Sequence, residues 1–270
     1  MKPLLLLWLC LSVRAYAQAV PFELRDGFLI VSKCTIAGLR NLVAVVDTGV
    51  TETTLDLRIA KQLSLSMRPE AASIGTRNGV VEAVSIPEIQ FGPLRADRLS
   101  GIAVDLSPLT YQMGIRPDVL IGTDLLKLKK FLIDYKAKTI TFGEIPSFKY
   151  TSKLLAEGRL ALLNVVLDGH KLRFQIDTGF NAVLVYGGKL PASRLEEFDS
   201  HSTAFGIALR AQPAFVRELQ IGDRKIKRVT AYVTDEAPSG EAGFDGLLGP
   251  KALGIQRLAM DLEAHTLSWE

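Results

Sequence analysis

From Phe28 onward the chain is a succession of short apolar runs, each cut off after a few residues by Gly, Asn, Asp or Pro. Residues 27–39 (GFLIVSKCTIAGL), 138–143 (KTITFG), 172–177 (LRFQID) and 228–235 (RVTAYVTD) are typical. They are rich in Val, Ile, Leu, Thr and Phe, which pack well on a pleated, half-buried surface. Their spacing is that of strands separated by turns. Residues 55–65 (LDLRIAKQLSL) have a different period: Leu55, Ile59 and Leu63, with Ala60 beside them, share one side of a helix. Short helical turns are expected at Asp124-Leu125-Leu126 and Lys251-Ala252-Leu253, each shortly after a glycine. Asn78-Gly79 predicts a tight hairpin turn within residues 74–86. The expected class is all-β with a few short helices.

The pattern is also written twice. Asp47-Thr48-Gly49 recurs at Asp177-Thr178-Gly179, 130 residues on, and Glu88-Ile89-Gln90-Phe91-Gly92 recurs at the same offset as Glu218-Leu219-Gln220-Ile221-Gly222. Residues 117–126 (PDVLIGTDLL) correspond to 244–253 (FDGLLGPKAL), and 131–142 (FLIDYKAKTITF) to 258–269 (LAMDLEAHTLSW), both at offset 127. Four blocks in one order imply an internal duplication. Two homologous, closed, barrel-like β lobes related by a pseudo-twofold axis are expected, spanning residues 18–146 and 147–270. The junction falls near 143–150, which contains Pro146.

The first residues stand outside this pattern. Met1-Lys2-Pro3 is short and basic, Leu4 to Val13 is apolar, and Ala15-Tyr16-Ala17 has the small-x-small form of a cleavage site. Ten apolar residues are too few to span a bilayer. A signal peptide over residues 1–17 is expected, with Ala19 as the second choice of cleavage point, and with it export to a periplasmic or extracellular space. No later segment is apolar for long enough to span a membrane.

A single Asp-Thr-Gly is an ordinary turn sequence. Two in register, each ending a hydrophobic strand, ask for another explanation, because an ionised carboxylate among valines is costly. A twofold relation between the lobes would bring Asp47 and Asp177 together across the axis. Two carboxyls in contact cannot both ionise easily and so share a proton. One is then a base and the other an acid, the pair needed to activate a water against an amide carbonyl and protonate the leaving nitrogen. On this scheme Thr48 and Thr178 bond across the interface, while Gly49 and Gly179 permit close backbone approach.

These residues resemble the pepsin/retropepsin-type aspartic proteases, and most of all the short bacterial retropepsin-like proteins. The resemblance rests on hydrophobic-Asp-Thr-Gly twice, on Leu120-Ile121-Gly122 and Leu247-Leu248-Gly249, and on the helix-like segment after the first copy. It implies the acid-protease fold, with a catalytic Asp from each lobe, loops braced by Thr48 and Thr178, and a hydrophobic-hydrophobic-Gly element behind each loop. It also implies a peptide or protein substrate in a cleft under one or two hairpin flaps. The flap candidate is residues 75–83, with Gly75 and a turn at Asn78-Gly79; the second-lobe counterpart, 204–212, has Gly206. The flap stretch lacks a tyrosine, and Val50 and Phe180 are larger than the residues usual after Asp-Thr-Gly. The contrasting expectation, from another class, is a non-catalytic peptide-binding or scaffold protein that reuses the fold.

Composition narrows the rest. The formal net charge is +3, and without Lys2 and Arg14 there are 30 basic against 29 acidic residues. That near balance gives no electrostatic footprint for nucleic acid. Cys34 is the one thiol after the leader, so no internal disulfide is expected, and it reads as a core residue. His170, His201 and His265 lack metal-ligand spacing, there is no His-Glu-x-x-His, and neither a metal nor a cofactor is expected. Asp118, Asp134, Asp245 and Asp261 read as turn or strand-edge residues. A monomer is expected.

Overall fold

The computed structural model describes residues 19–270 apart from 75, 157–158, 191–198, 203–207 and 239–242. The expected signal peptide, Gly75 and Gly206 lie outside the described residues. The rest is mostly strand, as the apolar runs predict, in two similar lobes.

In the first lobe six strands close into a ring: Leu29–Ile36, Leu39–Val46, Val119–Ile121, Thr54–Asp56, Leu94–Val104 and Arg77–Phe91, which returns to Leu29–Ile36 through Thr35↔Gln90. Glu23–Arg25 and Arg68–Ile74 extend it at the edges. The second lobe repeats the ring with Leu162–Leu167, His170–Ile176, Gly246–Leu248, Val183–Val185, Arg224–Val233 and Ala208–Ile221, closed through Val166↔Gln220. Closure removes the unpaired edges that an open sheet of this size would leave.

A third, six-stranded sheet joins the halves, in the order Ala19–Pro21, Thr139–Phe142, Phe131–Asp134, Arg257–Asp261, Thr266–Trp269, Tyr150–Lys153. At its centre Leu132 pairs antiparallel with Ala259, its own counterpart at offset 127. The pseudo-twofold axis therefore passes between these two residues.

The valine run before Asp47 has a plain cause. Ala44 and Val46 enter the main core, while Val43 and Val45 enter a second cluster with Leu29, Leu106, Leu109 and Leu120. A strand covered on both faces reads as a continuous apolar run. The helix Leu109–Met113 helps to cover the second face; its five residues carried no clear helical signature.

Two local expectations are corrected. The helix of residues 55–65 is shorter, Leu57–Gln62. Leu55 belongs instead to Thr54–Asp56, which is paired on both sides, so sheet pairing overrides helical periodicity there. Asp56 then caps the helix, accepting from the Arg58 N–H at 2.9 Å. The hairpin does not turn at Asn78-Gly79. Ile74 pairs with Arg77, so Asn78 faces Ser73 and Gly79 faces Ala72 within the strands. A turn at Asn78-Gly79 would set Arg68 opposite Ile89, and that edge is already taken by Ile36. Long-range pairing defeats the local turn signal.

The carboxylates beside the hydrophobic-Gly elements are fasteners. Asp118 accepts from the Val43 N–H at 2.6 Å and pairs with Arg58. Asp245 accepts from the Arg173 N–H at 2.7 Å and pairs with Lys189. Asp134 and Asp261 close turns at the Ala137 and Ala264 N–H groups. Asp118→Ala would leave the Val43 N–H unpaired in a buried strand, at a cost of about 2 kcal/mol. Chemical denaturation should show that loss; an unchanged midpoint would contradict the role.

Candidate active site

Each Asp-Thr-Gly leaves its ring at the same place. The Asp47 N–H donates to the Ile121 carbonyl and the Asp177 N–H to the Leu248 carbonyl, both at 3.1 Å. Ile121 and Leu248 end the short strands Val119–Ile121 and Gly246–Leu248, which run parallel to the strands delivering the aspartates. These are the Leu-Ile-Gly and Leu-Leu-Gly elements of the sequence. They lie alongside the loops and fix the height at which each carboxyl emerges.

The loops then lock to each other. The Thr48 N–H donates to Thr178 Oγ1 at 3.0 Å, and the Thr178 N–H to Thr48 Oγ1 at 3.1 Å. Thr48 Oγ1 donates to the Ile176 carbonyl and Thr178 Oγ1 to the Val46 carbonyl, both at 2.9 Å. Each hydroxyl thus accepts from and donates to the same short segment of the opposite lobe, 176–178 for Thr48 and 46–48 for Thr178, and both threonines are buried. A reciprocal pair of equivalent residues marks the axis a second time, about 130 residues of chain having been folded back to form it.

Asp47 and Asp177 face each other just beyond the threonines. The Gly49 N–H donates to Asp47 Oδ1 at 2.8 Å and the Gly179 N–H to Asp177 Oδ1 at 2.7 Å. The approach is so close that a Cβ on Gly49 would sit 2.5 Å from Asp177 Cγ, and one on Gly179 would sit 2.6 Å from Asp47 Oδ2. No side chain fits at either position. The structure brings Asp47, Thr48, Gly49, Asp177, Thr178 and Gly179 together in one cluster.

Burial pushes both carboxyls above the ordinary carboxylate range. For Asp47 the Gly49 N–H, a hydrogen bond from Asp177 and the Gly179 N–H act the other way. For Asp177 the charge and hydrogen bond of Asp47 add to burial, and the Gly179 N–H acts the other way. Two carboxyls in contact cannot both ionise easily, and the titration of such groups belongs to the pair rather than to either member.

The hairpin of Arg68–Ile74 and Arg77–Phe91 reaches across the cleft. Thr76 Oγ1 donates to Glu236 Oε2 of the second lobe at 2.6 Å. Glu236 is held in turn by its carbonyl, which accepts from the Gly187 N–H at 2.9 Å. Beside it Tyr186 packs edge-on to Phe244, with ring centroids 5.9 Å apart, in a cluster that includes Phe180 and Tyr232. Burial, then the charges of Asp177 and Glu236, push the Tyr186 hydroxyl upward. Asn78 and Gly79 of the flap candidate lie in the hairpin stem, away from its turn. Thr76 falls within the flap candidate 75–83, whereas sequence reasoning missed Glu236 and Tyr186; Tyr186 occupies the place that Asp56 holds in the first lobe, and no local signal distinguished it. Phe180 joins the aromatic wall, and Val50 packs at the edge of the first lobe's second cluster.

A cavity of about 370 Å³ is lined by Thr51, Glu52, Thr123, Asp124, Arg159 and Leu262 among others, and neither aspartate of the pair borders it. Cys34 is a buried free thiol that burial pushes up to about 12, so it is not a nucleophile at neutral pH.

Residues 32–125 match the family model of aspartyl proteases, the segment that carries Asp47 and the hydrophobic-Gly element behind it. The match supports the aspartic-protease superfamily. No curated protein matches the chain.

Thr48→Val would leave the Thr178 N–H and the Ile176 carbonyl unpaired in a buried interface, a loss of about 3 kcal/mol. Thr48→Ser keeps both bonds and should lose less than about 1 kcal/mol. Equal denaturation midpoints for the two variants would contradict the interlock.

Proposed function

We propose that this protein is an exported aspartic endopeptidase, with Asp47 and Asp177 as its catalytic pair. The observation that carries the proposal is that two carboxyls, Asp47 buried and Asp177 half-buried, one from each half of a duplicated chain, stand face to face beside the Thr48–Thr178 interlock. The aspartyl-protease match over residues 32–125 supports a hydrolase that binds peptides.

A water seated between the carboxyls has a base on one side and an acid on the other. The carboxylate takes a proton from the water as its oxygen attacks the peptide carbonyl carbon. The protonated carboxyl gives its proton to the carbonyl oxygen, so the tetrahedral adduct is neutral. The proton taken from water then passes to the amide nitrogen as the C–N bond breaks, and the diol proton returns to the pair. Gly49 and Gly179 hold one oxygen of each carboxyl through their N–H groups, leaving the other directed at the water. The peptide lies in the cleft under the hairpin tip at Thr76. Export follows from the leader-like residues 1–17.

Asp47→Asn and Asp177→Asn should each lower peptide turnover by at least about 1,000-fold while the protein stays folded. Turnover near the unsubstituted level in either folded variant would contradict the assignment. Activity should be greatest at acidic pH and fall as the pair loses its shared proton.

The pair also has a signature in stability. Both pKa values are raised in the folded protein, so the pair's stabilising contribution is complete below the unfolded carboxylate pKa and is lost as pH rises through the folded one. Between acidic and neutral pH the protein should therefore lose more stability than Asp177→Asn does. Denaturation midpoints across that range measure the difference; parallel curves would mean that the pair is not coupled to folding as described.

A further inference from the structure

We infer that Gln175 is a positioning residue for the first Asp-Thr-Gly loop, acting on Asp47 through the carbonyl of Gly49. The inference rests on the proposed function for its catalytic part and on geometry for the rest.

Gln175 lies in the strand His170–Ile176, two residues before Asp177. Phe174 and Ile176 on either side of it enter the main core, so the side chain of Gln175 leaves by the opposite face. It is 3% exposed. Its Nε2 donates to the carbonyl of Gly49, in the other lobe, at 2.8 Å. A buried amide between the core residues Phe174 and Ile176 needs such a partner, and the partner it finds is the backbone of the opposite catalytic loop.

That contact falls where the loop has least support of its own. Gly49 cannot carry a side chain, because a Cβ would run into Asp177. It therefore has no side chain of its own to restrict φ and ψ, yet its N–H must point at Asp47 Oδ1. Gln175 holds the far end of the same residue. With the N–H on Asp47 and the carbonyl on Gln175, the Gly49 backbone is fixed at both ends, and so is the direction of the Asp47 carboxyl.

The contact has no mirror image. The first-lobe counterpart of Gln175 is Val45, which packs among Leu29, Leu106, Leu109 and Leu120 and has nothing to donate to Gly179. The threonine interlock treats the two loops alike; Gln175 makes them unlike. At any instant a pair that carries one proton has one protonated and one ionised member, and this donor stiffens only the Asp47 side.

The test uses the whole chain with Gln175→Met, which keeps length and burial but removes the donor, and Gln175→Glu. Gln175→Met should keep KM within about twofold and lower kcat by about tenfold. Gln175→Glu restores a donor only while its carboxyl is protonated, so its kcat should match the unsubstituted protein in acid and fall away as pH rises. A merely structural role would give the same deficit at every pH. Amide hydrogen exchange over residues 47–54 supplies a readout independent of turnover, and it should quicken at least fivefold in Gln175→Met. Unchanged exchange and an unchanged pH profile in both variants would overturn the inference. Faster exchange in a chain that cleaves no peptide would uphold the Gly49 contact and count against the proposed function instead.

Discussion

The reciprocal bonding of Thr48 and Thr178 is the constraint on which the rest of the structure turns. Four hydrogen bonds tie two loops that are 130 residues apart in sequence, and all four lie in a buried interface. Without them two carboxyls raised by burial would have every reason to separate into solvent. With them, Asp47 and Asp177 are held close enough to share a proton and too close for a side chain on either glycine. The floor sheet supports the same arrangement from below, by pairing Leu132 with its own counterpart Ala259. Two self-paired points define an axis, and the acid pair stands on it.

Symmetry explains the scaffold, and departures from symmetry give the two sides of the cleft different characters. Asp118 and Asp245 repeat one fastening, at Val43 and Arg173, as Asp134 and Asp261 repeat another. Elsewhere the copies have diverged. Asp56 in the first lobe is a buried anion gathering the Leu106 N–H and Arg116, while Tyr186 in its place faces the cleft's aromatic wall. Asp124 clamps Thr53, and its counterpart Lys251 lies over the Tyr135 ring instead. The single hairpin contact across the cleft, Thr76 to Glu236, belongs to one side only among the described residues.

What was legible in the sequence was whatever is repeated or periodic. The duplicated Asp-Thr-Gly, the Leu-Ile-Gly and Leu-Leu-Gly elements and the alternating apolar runs each recur, and recurrence led to the lobes, the axis and the six residues of the central cluster. What was not legible depends on pairing between distant segments. Asn78-Gly79 is a sound local turn signal that loses to Ile36 on the edge at Ile89. Leu55 fits a helical stripe and is claimed by two strands. Gln175 is one buried polar residue between two core residues, and only the position of the other lobe gives its amide a meaning.

The central claim is that Asp47 and Asp177 form one titrating unit with a proton held between them. Carboxyl carbon NMR of the two aspartates, followed across pH, tests it most directly. Two well-separated steps should be seen at both residues, the upper one above the ordinary carboxylate range, with the upper step absent from Asp177→Asn. Two independent titrations at ordinary carboxylate values would contradict it.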